Sequence, residues 1–405
     1  MNRRRDNATD VIVIGGGMVG AACALAIARE RLSVTLVEPR SPEPLPATAE
    51  WDLRVSALSR ASESVLRKLN AWKSIQPERI CAYQAMDVWD SEGNGRVHFD
   101  AADVGETCLG HIVENRRVQV ALWEQLEHHP DITVVNAGVA NVTVDAETAT
   151  AKLDNGKTLQ ARLLVAADGA NSPTRGMLGI DIDLAPYGQQ GIVAVVSPEK
   201  PHGDIARQRF LPTGPLALLP LADGSISIVW SASDAEAERL LALDDAEFLG
   251  ELSAASEQVL GNFTATSKRA AFPLRRQHAE RYCGTRHVLV GDAAHVIHPL
   301  AGQGANLGFM DAATLAEVIG KADREGRDIG STRTLRRYER WRKGDNLATL
   351  WAMDGFKQLF SNDDTFLAKL RNTGFSVFNR IEPLKKIAMK KAMGRTGDLP
   401  ALARE

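Results

Sequence analysis

The feature that most restricts the fold is Gly15-x-Gly17-x-x-Gly20, preceded by the β-branched run Val11-Ile-Val-Ile14 and followed by an alanine-rich stretch over 18–30. The first run favours a strand and the second a helix, so the glycines fall in a strand-to-helix turn. Residues 33–38 (SVTLVE) read as a second strand, closing a βαβ unit of the length such a crossover needs. Glycines in that turn let the backbone approach a pyrophosphate at the helix N-terminus, where unpaired N–H groups and the helix dipole favour anions. Glu38, at the end of the second strand, is placed to accept a ribose hydroxyl. A lone glycine triplet is as readily an ordinary turn. The strand, helix, second strand and acid around it point to a dinucleotide, without choosing among NAD, NADP and FAD.

Two later apolar runs, 161–167 (ARLLVAA) and 287–290 (HVLV), stop at Gly/Asp pairs, as buried parallel strands do when they deliver loops to one sheet edge. Behind the first comes Asp168-Gly169-Ala-Asn-Ser172, a carboxylate on a flexible turn. Behind the second come Gly291-Asp292-Ala-Ala-His295 and then Pro299-x-x-Gly302-Gln303-Gly304-x-Asn306, which leads into a helix-favouring run. A carboxylate at a strand end binds a polyol hydroxyl. A glycine-rich helix start aims N–H groups at a ring carbonyl that becomes negative on reduction. Those are the needs of a ribityl chain and an isoalloxazine ring, so the later motifs select FAD. Each residue also has a structural reading: Asp168 as a turn cap, Arg54 as a surface ion pair, His295 and His298 as satisfied core histidines.

Residues 82–100 and 187–273 differ in character, mixing alternating apolar residues with turns, as antiparallel sheet with one exposed face does. The expected class is α/β: a Rossmann-like FAD-binding domain (1–80, 110–186 and 274–331), an inserted mixed or antiparallel β-sheet substrate domain (81–109 and 187–273), and a helical C-terminal segment (332–405). Composition agrees with globular material, 44% hydrophobic and 24% charged. A net charge of −3 leaves no basic field to hold nucleic acid. Cys23, Cys81, Cys108 and Cys283 form no C-x-x-C pair, which fits neither a disulfide framework nor zinc and suits a reducing cytoplasm. His295 and His298 have no ligand-like partner beyond Asp292, so no metal is expected. The basic start and uncharged stretch 11–28 resemble a signal peptide, but Asp6, Asp10 and the glycines interrupt both parts, and no window reaches the length of a membrane span. No Gly-x-Ser-x-Gly elbow supports hydrolysis.

The three motifs, in this order and at these separations, resemble the para-hydroxybenzoate hydroxylase class of FAD monooxygenases over roughly residues 8 to 395. Arg54-Val-Ser-Ala-Leu58, Gly110-His-Ile-Val-Glu-Asn115 and the run from Gly291 to Gly304 resemble its ubiquinone-biosynthesis hydroxylases, above all those acting on 2-octaprenylphenol. The resemblance implies non-covalent FAD, NAD(P)H as a transient electron donor, O2 as co-substrate, and oxygen transfer from a flavin hydroperoxide to a polyprenylated phenol. It places Arg54 at the FAD pyrophosphate and Asp292 at the ribityl chain. Asp168 would support FAD and the passing nicotinamide, and Asn115 stands where many relatives carry an Arg or Gln that touches FAD. Gly302, Gln303, Gly304 and Asn306 would face the ring. His298, beside Pro299, is the candidate to assist the phenol. Hydroxylation at another ring position of the same pathway stays open, as does a non-catalytic flavin-binding scaffold subunit.

The C-terminal stretch passes from Trp351, Leu359, Phe366 and Phe378 to Lys385, Lys386, Lys390 and Lys391. One reading is helices packed on the FAD domain with a solvated basic end. The other is peripheral, salt-sensitive attachment, through residues beyond about Thr365, to the inner membrane face or to other ubiquinone-biosynthesis proteins.

Overall fold

The structure, a computed structural model, describes residues 8–46, 48–91, 95–297, 304–360 (backbone only for 352–360) and 381–405. Strand β1 (Ala8–Ile14), helix α1 (Met18–Arg29) and strand β2 (Val34–Val37) form the expected crossover. β1 lies between β2 and the strand Thr158–Ala166, parallel to both, with Val11 opposite Val34 on one side and Leu163 on the other. His287–Leu289 pairs parallel beyond Thr158–Ala166, and Ile132–Val135 beyond β2. The strands that carry the three motifs are therefore neighbours running the same way, and their turns line one edge of the sheet. Val11, Ile12 and Val13 are fully buried because helices cover one face and a small antiparallel flap (Val139–Val144 with Ala149–Leu153) packs on the other. α1 packs its alanines against the helix Gly304–Arg324. The approach is close enough that a Cβ on Gly308 would collide with Val19.

A second, nine-stranded sheet is built mostly from 182–279. It is mixed: Ile205–Leu211 pairs parallel with Ala85–Asp90, while Ile182–Pro198 and Ala270–Ala279 run antiparallel from Ile182 opposite Ala279 to Val193 opposite Ala270. Both long strands continue through 186/187 and 273/274, the first with a bulge at Tyr187 and Gly188 that shifts its register. Ile192, Leu216, Ile228, Trp230 and Phe248 fill its core. A three-stranded sheet, Val55–Ser59, Gly110–Glu114 and Ile80–Tyr83, joins the halves, with Ala57, Cys81 and Ile112 packed on Ala206, Leu219 and Leu221.

The helix Thr332–Phe360 lies along Gly304–Arg324. The helix Glu382–Ala392 is anchored by Met389, which packs with Met393 on Ala101 and Leu109, and by Lys385, 2.8 Å from Asp103. Among the described residues no helix is long and apolar enough to cross a membrane. The four cysteines are free and buried.

Candidate active site

The glycines of the first turn play three parts. Gly15 has φ +103°, and a Cβ there would lie 2.5 Å from the Ala167 carbonyl oxygen, so the turn needs glycine for conformation and space. A Cβ on Gly20 would collide with the Gly15 carbonyl oxygen, so Gly20 lets the helix sit on the strand. Gly17 is exposed, and a Cβ there would meet nothing within 4 Å. The Gly16 peptide is fixed at both polar ends. Its N–H donates to Glu38 Oε2 at 2.6 Å, and its carbonyl accepts from Gln119 Nε2 (2.9 Å) and Trp123 Nε1 (2.7 Å) of the helix Asn115–Glu127. No side chain caps α1 at Gly17. An uncapped helix start beside open space, with the Glu38 carboxylate at the end of the adjacent strand, suits a dinucleotide pyrophosphate and ribose.

Asp168 spends its carboxylate locally, accepting from Ser172 Oγ and, at 3.0 Å, from the Thr174 N–H, which caps the short helix Pro173–Met177. Two buried side chains tie this turn to the third one. Arg175 donates to the carbonyls of Ala170 (3.2 Å) and Ala293 (2.9 Å), and Gln277 Nε2 to those of Ala170 (2.8 Å) and Asp292 (3.4 Å).

Gly291 begins the third turn at φ +59°, which directs Asp292 out and His295 in. Asp292 is exposed, with protein atoms packed closely around it. That enclosure pushes its carboxyl up, opposed by the His295 ring and the charges of Arg54 and Arg275. Arg54 is thus within electrostatic reach of Asp292, and strand pairing explains how. Val55 opposes Glu114, so Arg54 and Asn115 sit side by side at the strand ends, with the Asn115 N–H on the Arg54 carbonyl (3.0 Å) and Ser56 Oγ donating to Asn115 Oδ1 (2.6 Å). A cleft of about 410 Å³ opens beside them, lined by Trp51, Asp52, Leu53, Glu114, Arg116 and Arg117 among others.

Asn306 is buried and turns toward the protein. Its Oδ1 accepts from the Ser59 N–H (2.9 Å) and Ser62 Oγ (2.7 Å), and its Nδ2 donates to the Ala57 carbonyl (2.8 Å), so it seats the start of the helix Gly304–Arg324 on Val55–Ser59. Gly304 is the first described residue of that helix. His298, Pro299, Gly302 and Gln303 lie outside the described residues. The structure therefore sets Glu38 against the Gly16–Gly17 turn, and Arg54 beside Asn115 within electrostatic reach of Asp292, while Asp168 and Asn306 make their bonds within the protein. Reading the sequence missed Gln119, Trp123, Arg175 and Gln277, each of which holds a backbone atom more than 100 residues away or in another motif, a relation that carries no spacing signal.

The chain belongs to the family described as the FAD binding domain, whose model matches residues 8–344. It is an FAD-dependent monooxygenase, for which NAD(P)H is the typical electron donor. It is 38% identical over 387 residues to the 3-demethoxyubiquinol 3-hydroxylase of Escherichia coli, covering 95% of this chain and 98% of that one. It is 36% identical over 392 residues to the ubiquinone hydroxylase UbiL of Rhodospirillum rubrum, covering 96% and 90%. The fold matches the p-nitrophenol 4-monooxygenase PnpA of Pseudomonas putida, with a TM-score of 0.77 at 19% identity over 96% of this chain and 100% of that one.

Proposed function

We propose that this chain hydroxylates the ring of a polyprenylated phenol in ubiquinone biosynthesis, with 2-octaprenylphenol as the substrate. The observation that supports this most is end-to-end similarity to ubiquinone-pathway hydroxylases, combined with an uncapped helix start at Gly17 beside Glu38 and a carboxylate, Asp292, within electrostatic reach of Arg54. When bound and reduced by NAD(P)H, FAD supplies the oxygen-activating chemistry. The chain's own residues do the rest. The α1 N-terminus at Gly17 takes the pyrophosphate, Glu38 a ribose hydroxyl, Asp292 the ribityl chain, and Arg54 with Asn115 the outer side of the cofactor. The apolar contact between Ala57, Ile112 and Leu219 keeps water from the joint between the two sheets. On sequence grounds His298 assists the phenol; His298→Ala should then slow turnover while FAD content stays at the wild-type level.

A demethoxyubiquinol ring is the second reading, favoured by similarity to the 3-demethoxyubiquinol 3-hydroxylase of E. coli. Mass spectrometry of a deletion strain separates the two: unhydroxylated octaprenylphenol should accumulate, whereas a demethoxy intermediate assigns the later ring position. An unchanged quinone pool refutes the pathway.

The helix Glu382–Ala392 supports peripheral membrane contact, because Leu384 and Ile387 are 48% and 61% exposed beside exposed Lys390 and Lys391, and Trp351 is 68% exposed. The expected attachment centre beyond Thr365 falls partly on 361–380, outside the described residues. Co-sedimentation with anionic vesicles that is abolished by salt supports contact; equal pelleting with neutral vesicles at high salt overturns it.

A further inference from the structure

Behind the third turn lies a buried cluster that no step above uses. Asp311, on the helix Gly304–Arg324, has no solvent exposure. A buried carboxylate costs several kcal/mol unless it is paired and hydrogen-bonded, and here both oxygens are occupied twice. Oδ2 accepts from the Gly291 N–H (3.1 Å) and His295 Nε2 (2.5 Å). Oδ1 accepts from Arg342 Nε (2.8 Å) and Asn346 Nδ2 (3.3 Å), both on the helix Thr332–Phe360. Burial alone raises this carboxyl, but His295 and Arg342 hold it well below the usual carboxylate range.

We propose that Asp311 is a positioning residue for the cofactor, and that Arg342, from the C-terminal segment, completes the device. One oxygen grips the first and last residues of the Gly291–His295 turn, so the turn keeps the shape that directs Asp292 out. His295 precedes the stretch 298–303 and Asp311 follows it, so the same bond ties the two flanks together. The other oxygen is held by the C-terminal helix, whose Arg342 also donates to Asn346 Oδ1 (2.9 Å). The C-terminal helix is therefore a working part of the FAD site, although none of its side chains was expected there. This inference rests on the family's cofactor and is independent of the substrate proposed above.

The test is FAD titration of the apoprotein, followed by flavin fluorescence below the unfolding temperature. Asp311→Asn keeps the shape but offers one acceptor and one donor, so it can satisfy the turn or the C-terminal helix and not both. It should raise the Kd for FAD about tenfold or more. Arg342→Met should do the same from the far side, and Arg342→Lys, which restores the charge, should recover most of the affinity. Leu335→Ala, buried on the same helix outside the cluster, should lower the melting temperature and leave Kd within about twofold. Wild-type Kd in Asp311→Asn or Arg342→Met overturns the proposal, as does an equal loss in Leu335→Ala or no recovery in Arg342→Lys. Should Asp311→Asn fail to fold, the two Arg342 variants and the Leu335 control decide.

Discussion

The turn at Gly15–Gly20 and the turn at Gly291–His295 leave the same edge of one parallel sheet, but they are held in opposite ways. The first is shaped by glycine itself, through a left-handed φ at Gly15, a close approach at Gly20 and open space at Gly17, with neutral donors from Gln119 and Trp123 pinning the Gly16 carbonyl. The second has only Gly291 for conformation and depends on a buried ionic cluster reaching to residue 346. Anion recognition by backbone N–H groups needs little more than sterics, whereas aiming a single carboxylate needs a scaffold that over-determines its direction. If both turns hold FAD as proposed, one cofactor depends on two devices with different weaknesses, one steric and one electrostatic.

The sharpest way to break the first device is within its own glycines. Gly20→Ala forces a methyl into the Gly15 carbonyl, so the apoprotein should lose about 3 kcal/mol, read as soluble yield and thermal melting. Gly17→Ala should leave apoprotein stability within about 0.5 kcal/mol and still weaken FAD about tenfold or more by filling the approach to the pyrophosphate. Equal destabilisation by both would show that the three glycines are not specialised. On the other turn, Asp292→Ala should cost about 1.5–3 kcal/mol of FAD affinity with the melting temperature of the apoprotein unchanged. FAD affinity equal to wild type would remove Asp292 from the ribityl site.

Acidity should separate the turns further. His278, whose Nε2 lies 3.0 Å from the Tyr282 hydroxyl beside the Asp311 cluster, is pushed down to about 4 by burial, with Lys343 and His295 adding to the effect. The unfolded chain binds this proton near pH 6.5 and the folded one does not, so stability is full above that value and falls as pH drops toward 4. His111, likewise lowered to about 4 by burial, adds the same slope from another core. His278→Gln should therefore flatten part of the pH dependence of melting between 6.5 and 4; an unchanged slope would mean that His278 is already protonated in the fold. The smallest effect is expected from Trp123→Phe, which removes one of the two bonds to the Gly16 carbonyl. FAD affinity should fall by about 1 kcal/mol, and a loss of about 3 kcal/mol would give the first turn a fragility like that of the second.

The sequence made the first turn plain because its determinants are local: a β-branched strand, glycines at fixed offsets, and an acid ending the next strand. The same locality exposed Asp292, since a Gly-Asp pair closing an apolar run says where the carboxylate stands. Register brought Arg54 and Asn115 together, and their motifs were legible although the pairing of Val55 with Glu114 was not. Asn306 shows the limit of spacing. Two residues past Gly304 it stands roughly 200° around the helix axis, and nothing in the sequence says which side meets the protein. Asp311, Arg175 and Arg342 were invisible for a related reason, because each has a partner between 16 and 118 residues away and a buried charge looks like a surface one until the helices around it are packed. The long strands Ile182–Pro198 and Ala270–Ala279 hide the join in another way, since Pro186, Gly188 and Pro273 read as turn residues yet fall inside strands, Gly188 at a bulge with φ +62°.

The order of strands in the parallel sheet has a consequence for how the chain is made. β1 is made well before one of its two neighbours, 158–166, and before the next strand outward, 287–289. The Asp311 cluster then waits for Arg342 and Asn346. At roughly 5–20 residues per second, the nascent chain spends tens of seconds with a central apolar strand lacking its partners, which is when edge pairing with other chains is most dangerous. On the proposal that the Asp311 cluster sets the flavin site, capture of FAD waits for Arg342 and Asn346, and protein made in cells short of flavin should be more sensitive to protease than protein made in flavin-replete cells.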